Sequence, residues 1–210
     1  LMISAQADAT EEKDFNAVEK KIRTLVPNAK TVAISETPID GVLQVQINSD
    51  IIYVTSDGEY LLQGQIMEID SRINITDQAK SGIRMSLLSS LERDDQISFA
   101  PENPAYDLME EYNEEGIAIH YMAFPRAGIG SNSYDKYVSV WCADDQQAAL
   151  TLAKNGGDPA PETCTNPIAE QYDLGRELGV TGTPALLTAD GTLIPGYMPP
   201  PKLRERLEAL

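Results

Sequence analysis

Two cysteines, Cys142 and Cys164, and one histidine, His120, are the side chains in this sequence best suited to redox or proton chemistry near neutral pH. Thiol–disulfide exchange needs one thiolate to attack and a second thiol to resolve the mixed disulfide. The attacking cysteine is activated at a helix N-terminus, where the dipole stabilises the anion. Cys142 and Cys164 do not fit that task. They stand outside Cys-x-x-Cys spacing, and Cys142 follows Trp141 inside a predicted helix rather than at its start. The sequence therefore offers no catalytic residue. His120 falls mid-strand with no cysteine or serine partner in sequence, and reads as a surface or edge residue. No Cys or His cluster has metal-ligand spacing, and no cofactor is called for. A third pattern uses the backbone. Gly179-Val180-Thr181-Gly182-Thr183-Pro184-Ala185 precedes a strand, a hairpin and a second strand. Proline has no N–H, so the backbone of Thr183 stays free to pair with an extended peptide. Gly182, Thr183 and Pro184 are the candidate substrate-binding residues.

The chain that must position these groups has 210 residues, enough for one large domain or two small ones. Its 33 acidic residues against 16 Lys plus Arg give a formal net charge of −17. Such a charge repels nucleic acid and anionic membrane surfaces. The opening Leu1-Met2-Ile3-Ser4-Ala5-Gln6-Ala7 reads as the tail of a secretory signal peptide cleaved after Ala7, so residues 1–7 are left out of the fold. In an exported protein two cysteines most simply make one structural disulfide. Closing that loop is worth about 3 kcal/mol in the chain-entropy account.

The periodicity predicts an amphipathic helix over 11–26, with Phe15, Val18, Ile22, Leu25 and Val26 on one face and Pro27-Asn28 ending it. From Gly41 to Asn48, Leu43, Val45 and Ile47 alternate with Gln44, Gln46 and Asn48, which is strand period. Strand-like runs follow at 51–55 and 59–63, separated by the Ser56-Asp57-Gly58 turn. One helix on a small meander buries little core alone, and its strand edges invite a second copy. Residues 76–93 predict a helix with Thr76 and Asp77 at its start. Its apolar stripe is Ile83, Leu87, Leu88 and Leu91, and Lys80, Arg84, Glu92 and Arg93 suit a solvent face. It reads as a semi-rigid spacer. Beyond it the pattern is helix at 107–113, strand at 116–124, helix at 133–155 and 168–178, strands at 184–188 and 192–194, and a closing helix at 202–210.

Thr181-Gly182-Thr183-Pro184-Ala185, Asp190-Gly191-Thr192-Leu193-Ile194-Pro195-Gly196-Tyr197 and Pro199-Pro200 resemble the C-terminal part of the DsbC/DsbG family of periplasmic disulfide isomerases. Tyr112-Asn113, Gly116-Ile117, Tyr121 and Ala123-Phe124-Pro125-Arg126 resemble the strand that the family places after its active-site helix. Trp141-Cys142-Ala143, Pro159-Ala160-Pro161 and Cys164 resemble its non-catalytic disulfide, and Asp57-Gly58 to Gln63-Gly64 its dimerisation hairpin. The resemblance implies an α+β chain with a small helix-plus-meander dimerisation domain at 8–70 and a linker helix at 71–98. A thioredoxin-like domain with a helical insertion would follow at 99–210, with a cis bond before Pro184. It implies a V-shaped periplasmic homodimer that reshuffles the disulfides of misfolded proteins and is kept reduced by a membrane thiol donor. Its partners are then unfolded or wrongly bridged proteins and a second copy of the chain.

One family feature is missing. Phe99-Ala100-Pro101-Glu102-Asn103-Pro104 runs straight into Ala105-Tyr106-Asp107, where the family has an apolar strand and a Cys-x-x-Cys opening a helix. About 15–20 residues are absent, judged by the length of a strand and one helical turn. Loss of a central strand leaves two edges unpaired. The expectation is a C-terminal domain that folds poorly unless strand 117–124 closes onto the 185–194 hairpin. Two functional readings stand: an isomerase whose natural chain carries the segment, and a redox-inactive dimeric holdase for unfolded chains.

Overall fold

The computed structural model describes residues 15–89, 91, 93–100 and 110–209 (the side chains of Arg93 and Glu110 excepted). The expected signal-peptide remnant at 1–7, the helix start at 11–14 and residues 107–109 of the helix expected over 107–113 lie outside the described residues. The chain divides into two compact units, Leu1–Met67 and Glu68–Leu210.

In the first unit, α1 (Asn16–Leu25) buries Val18 and Ile22. They pack against Leu43, Val45 and Val54 of an antiparallel sheet. Leu25, expected on the same face, is 67% exposed at the last position of the helix. The sheet order is β1 (Val32–Glu36), β2 (Val42–Ile47), β3 (Asp50–Thr55), β4 (Leu61–Leu62). The alternation at 43–47 does bury Leu43 and Val45 while Gln44 and Gln46 stay half-exposed. β1 is not singled out by the sequence, because only Val32 and Ile34 mark its apolar face. Lys21 donates to the Asp57 carbonyl at 2.9 Å, tying α1 to the turn before β4.

In the second unit, α2 (Ile75–Leu88) is capped by Asn74, whose side chain accepts from the Asp77 N–H at 3.0 Å. The cap is thus two to three residues earlier than expected, and Thr76 is buried. α2 is shorter than predicted and is no free spacer. Half-buried Arg84 donates to the carbonyls of Leu178 at 3.1 Å and Gly191 at 3.2 Å. After a 3₁₀ turn at Arg93–Asp95, β5 (Ile97–Phe99) pairs antiparallel with β6 (Ile119–Tyr121). α3 (Glu110–Glu114) lies between them in sequence. The helix predicted over 133–155 is two, α4 (Asn132–Cys142) and α5 (Gln146–Lys154). Asp145 breaks the run by capping α5 through the Ala148 N–H at 2.9 Å. α6 (Ile168–Glu177), the hairpin β7 (Ala185–Leu187) and β8 (Leu193–Pro195), and α7 (Pro200–Glu208) complete the unit.

The expected closure of strand 117–124 onto the 185–194 hairpin is not formed, and among the described residues of this unit the sheet is two separate two-stranded ribbons. A strand does lie ahead of the shortened segment, and strand β6 pairs with it rather than with the β7–β8 hairpin. Ile97 and Phe99 share one core with Tyr112, Val140, Leu150, Ile194 and Leu203, so both two-stranded ribbons contribute to a single interior. Backbone groups that a wider sheet would satisfy are met by amide side chains. Buried Gln171 accepts from the Ala123 N–H and donates to the Asp95 carbonyl, and Gln147 donates to the Ser98 carbonyl at 2.5 Å.

Candidate functional site

The second unit presents Thr183 and Pro184 at the mouth of the β7–β8 hairpin. The sequence dictates this arrangement locally. Asp190 and Gly191 turn the chain, with Gly191 at φ +82° and Asp190 accepting from the Thr192 N–H and hydroxyl. The register then sets Ala185 opposite Pro195 and Leu187 opposite Leu193. The Gly196 N–H reaches the Pro184 carbonyl at 2.9 Å, so the pairing runs one step beyond the strands. The Thr183–Pro184 bond is cis. Thr183 and Pro184 are exposed and Gly182 half-exposed. Among the described residues, Thr183 has no hydrogen-bond partner for its backbone. An exposed, unpaired backbone at the end of a strand is where an extended peptide can add its own hydrogen bonds.

Cys142 and Cys164 lie elsewhere in the same unit and are bonded to each other. The bridge fastens the last residue of α4 to the loop before α6, with Cys142 packed beside a small core of Ala123, Val138 and Ile168. Because these are the chain's only two cysteines, bonding them together leaves no thiol for exchange.

His120 has a partner that sequence distance conceals. Directly across the β5–β6 pair, the Ser98 Oγ lies 2.7 Å from its Nδ1. Ser98 is 22 positions away, and only the register of the ribbon brings the two together. The pair is exposed, on the side of the ribbon opposite buried Ile97 and Phe99.

Two tyrosines pack against each other just beyond the end of β8. Tyr112 of α3 is buried, and its hydroxyl donates to the Met198 carbonyl at 2.7 Å. Burial, then the neighbouring Tyr197 and Tyr121 phenols, push the Tyr112 hydroxyl up to about 12, so it remains a donor near neutral pH. Tyr197 meets Tyr112 edge to face, with centroids 6.5 Å apart, and is 63% exposed. Tyr197 belongs to the Pro195-Gly196-Tyr197 motif, but its aromatic neighbour Tyr112 stands on α3, far from it in sequence.

A helix-on-meander module joined to a unit whose cis proline opens an antiparallel hairpin defines a two-module protein of thioredoxin-like type. Comparisons with known proteins agree. Residues 4–77 match the disulfide bond isomerase protein N-terminal domain, and residues 105–210 match the thioredoxin-like domain. The thiol:disulfide interchange protein DsbC of Escherichia coli K12 is 32% identical over 197 residues, covering 85% of this chain and 82% of that protein. DsbC of Dickeya dadantii is 31% identical, over 93% of this chain and 87% of its own. DsbC of Salmonella typhimurium is 29% identical over 99% of this chain and 92% of its own. A crystal structure of a disulfide interchange protein from Neisseria gonorrhoeae matches 57% of this chain and 97% of its own, at 26% identity and a TM-score of 0.46. The chain belongs to the DsbC family of thiol:disulfide interchange proteins. The Salmonella alignment spans 225 residues, 15 more than the 210 of this chain, so at least that many positions of the relative have no counterpart here.

Proposed function

We infer that this chain is the scaffold of a periplasmic protein disulfide isomerase, in which residues 182–184 dock an extended segment of a misfolded exported protein. The exposed and unpaired backbone at Thr183 carries this reading. Gly182, Thr183 and Pro184 bind substrate, and the Cys142–Cys164 bridge is structural. Domains at 8–70, 71–98 and 99–210 serve dimerisation, connection and docking. The first assembles a homodimer, a membrane thiol donor keeps the enzyme reduced, and the leader ends at Ala7. The catalytic cysteines belong to a segment between Pro104 and Ala105 that this chain lacks. The excess length of the Salmonella alignment supports that gap.

The chemistry needs the missing thiols. One cysteine attacks a substrate disulfide as a thiolate and forms a mixed disulfide, releasing one substrate thiolate. That or another substrate thiolate then displaces the enzyme sulfur, so bonds are exchanged with no net oxidation. In this chain the docking edge can hold the substrate backbone, but no sulfur is available to attack. The Cys142–Cys164 bond therefore supports a second reading for the chain as it stands: a redox-inactive dimeric holdase.

Refolding of a scrambled-disulfide protein, with intact mass of the natural polypeptide, separates the two. An isomerase accelerates refolding and has a mass above that of residues 8–210. A mass matching residues 8–210, with aggregation suppressed and no isomerisation, overturns the first reading in favour of the second.

A further inference from the structure

The ring of Tyr197 faces solvent one residue beyond Gly196, whose N–H is bonded to the Pro184 carbonyl. It is held from behind. Tyr112 is buried against it edge to face, and the Tyr112 hydroxyl anchors the next carbonyl of the chain, that of Met198. Pro199 and Pro200 then start α7, which restricts the backbone on the far side. An exposed aromatic ring fixed by its neighbours loses little side-chain entropy when it takes a ligand. The whole chain carries a net charge of −17. The electron-rich face of an exposed tyrosine, in an acidic protein, favours a cation over an apolar or acidic side chain.

We propose that Tyr197 is a specificity-determining residue that seats a cationic side chain, an arginine above all, of the unfolded segment docked at Thr183–Pro184. Arginine suits the place because its planar guanidinium stacks on an aromatic face and sheds water more readily than an ammonium. The inference rests on the docking reading above and adds a preference to it: the backbone edge at Thr183 accepts any extended chain, and the ring beside it favours those rich in basic residues.

The test uses the full chain and three labelled unstructured peptides that differ at one position, carrying Arg, Leu or Glu, with that position scanned along the peptide. Fluorescence anisotropy gives each affinity. At the register that reaches the ring, the Arg peptide is expected to bind about two- to five-fold tighter than the Leu peptide, the size of an exposed cation–π contact. Tyr197→Ala is expected to erase the difference between the two, and Tyr197→Phe, which keeps the ring, to retain it. Equal affinities for Arg and Leu at every register overturn the inference and leave the docking reading standing. An unchanged Arg preference in Tyr197→Ala does the same. Binding by none of the three peptides removes the docking reading, and the inference falls with it. Because Tyr197 is exposed, thermal melts of the variants confirm that a lost preference is not lost folding.

Discussion

Tyr112 and Tyr121 show how burial turns an ordinary phenol into a stability element. Each hydroxyl is pushed up to about 12 from the usual 10, first of all by burial. Between those limits the unfolded chain gives up a proton that the folded chain keeps. The folded state then binds more protons, so stability is full below pH ~10 and falls as the pH rises towards ~12. Urea titrations across that window should show the fall, and a Tyr112→Phe/Tyr121→Phe double variant should show a shallower one. An identical slope in the variant would mean that other groups govern alkaline unfolding. At neutral pH, Tyr112→Phe alone should cost about 0.5–1.5 kcal/mol, the worth of one hydrogen bond to a carbonyl. At this scale the sequence was legible where a residue's role depends on near neighbours. Thr183 and Pro184 stand out because Gly, Pro and Asp punctuate the segment around them. The partners of Arg84 lie 94 and 107 positions away, and that of His120 lies across a strand pair, so no local pattern could reveal them.

Elements are fixed by where their backbones can approach one another, and α2 and the β7–β8 turn give the sharpest case. Gly191 adopts φ +82°, and a Cβ placed there would overlap the carbonyl oxygen of Ser81 in α2. Gly191→Ala should therefore destabilise the unit by more than about 1 kcal/mol, from the left-handed backbone alone. The collision should also loosen α2, read as faster amide exchange around Ser81. Gly82, the next residue in α2, has open space where a Cβ would stand, with nothing within 4 Å, and no left-handed φ. Gly82→Ala should raise stability by up to about 1 kcal/mol, through helix propensity. Two substitutions of the same kind, on opposite sides of one contact, are thus expected to have opposite signs in chemical denaturation. If both stabilise, α2 does not rest on the hairpin. The reading of α2 as a spacer arose from its polar surface, since a half-buried arginine that donates to carbonyls looks like a solvent-facing one in sequence. The meander was legible for the converse reason. A sheet with one buried face writes its register into the alternation of Leu43 and Val45 with Gln44 and Gln46.

At the scale of the whole molecule, the proposed dimer has a surface in the first unit suited to it. β4 is the last strand of its sheet, and among the described residues its outer side has no partner strand. Tyr60, Leu61 and Leu62 are all exposed there, a concentration of apolar side chains on an open edge that solvent does not favour. An edge of this kind can pair with the same edge of a second copy about a two-fold axis, each chain supplying identical groups. The family membership of residues 4–77 and the open edge at β4 then point to one interface. Light scattering on the full chain should report a dimer, and Leu61→Glu/Leu62→Glu should shift it to monomer by placing like charges face to face across the axis. The α1–β2–β3 core does not include these two leucines, so far-ultraviolet circular dichroism should be unchanged. If docking at Thr183 depends on two edges gripping one unfolded chain, the monomeric variant should suppress aggregation less well while binding a single short peptide with undiminished affinity. A variant that stays dimeric would move the interface away from β4, and a monomer that protects as well as the dimer would show that each copy works alone.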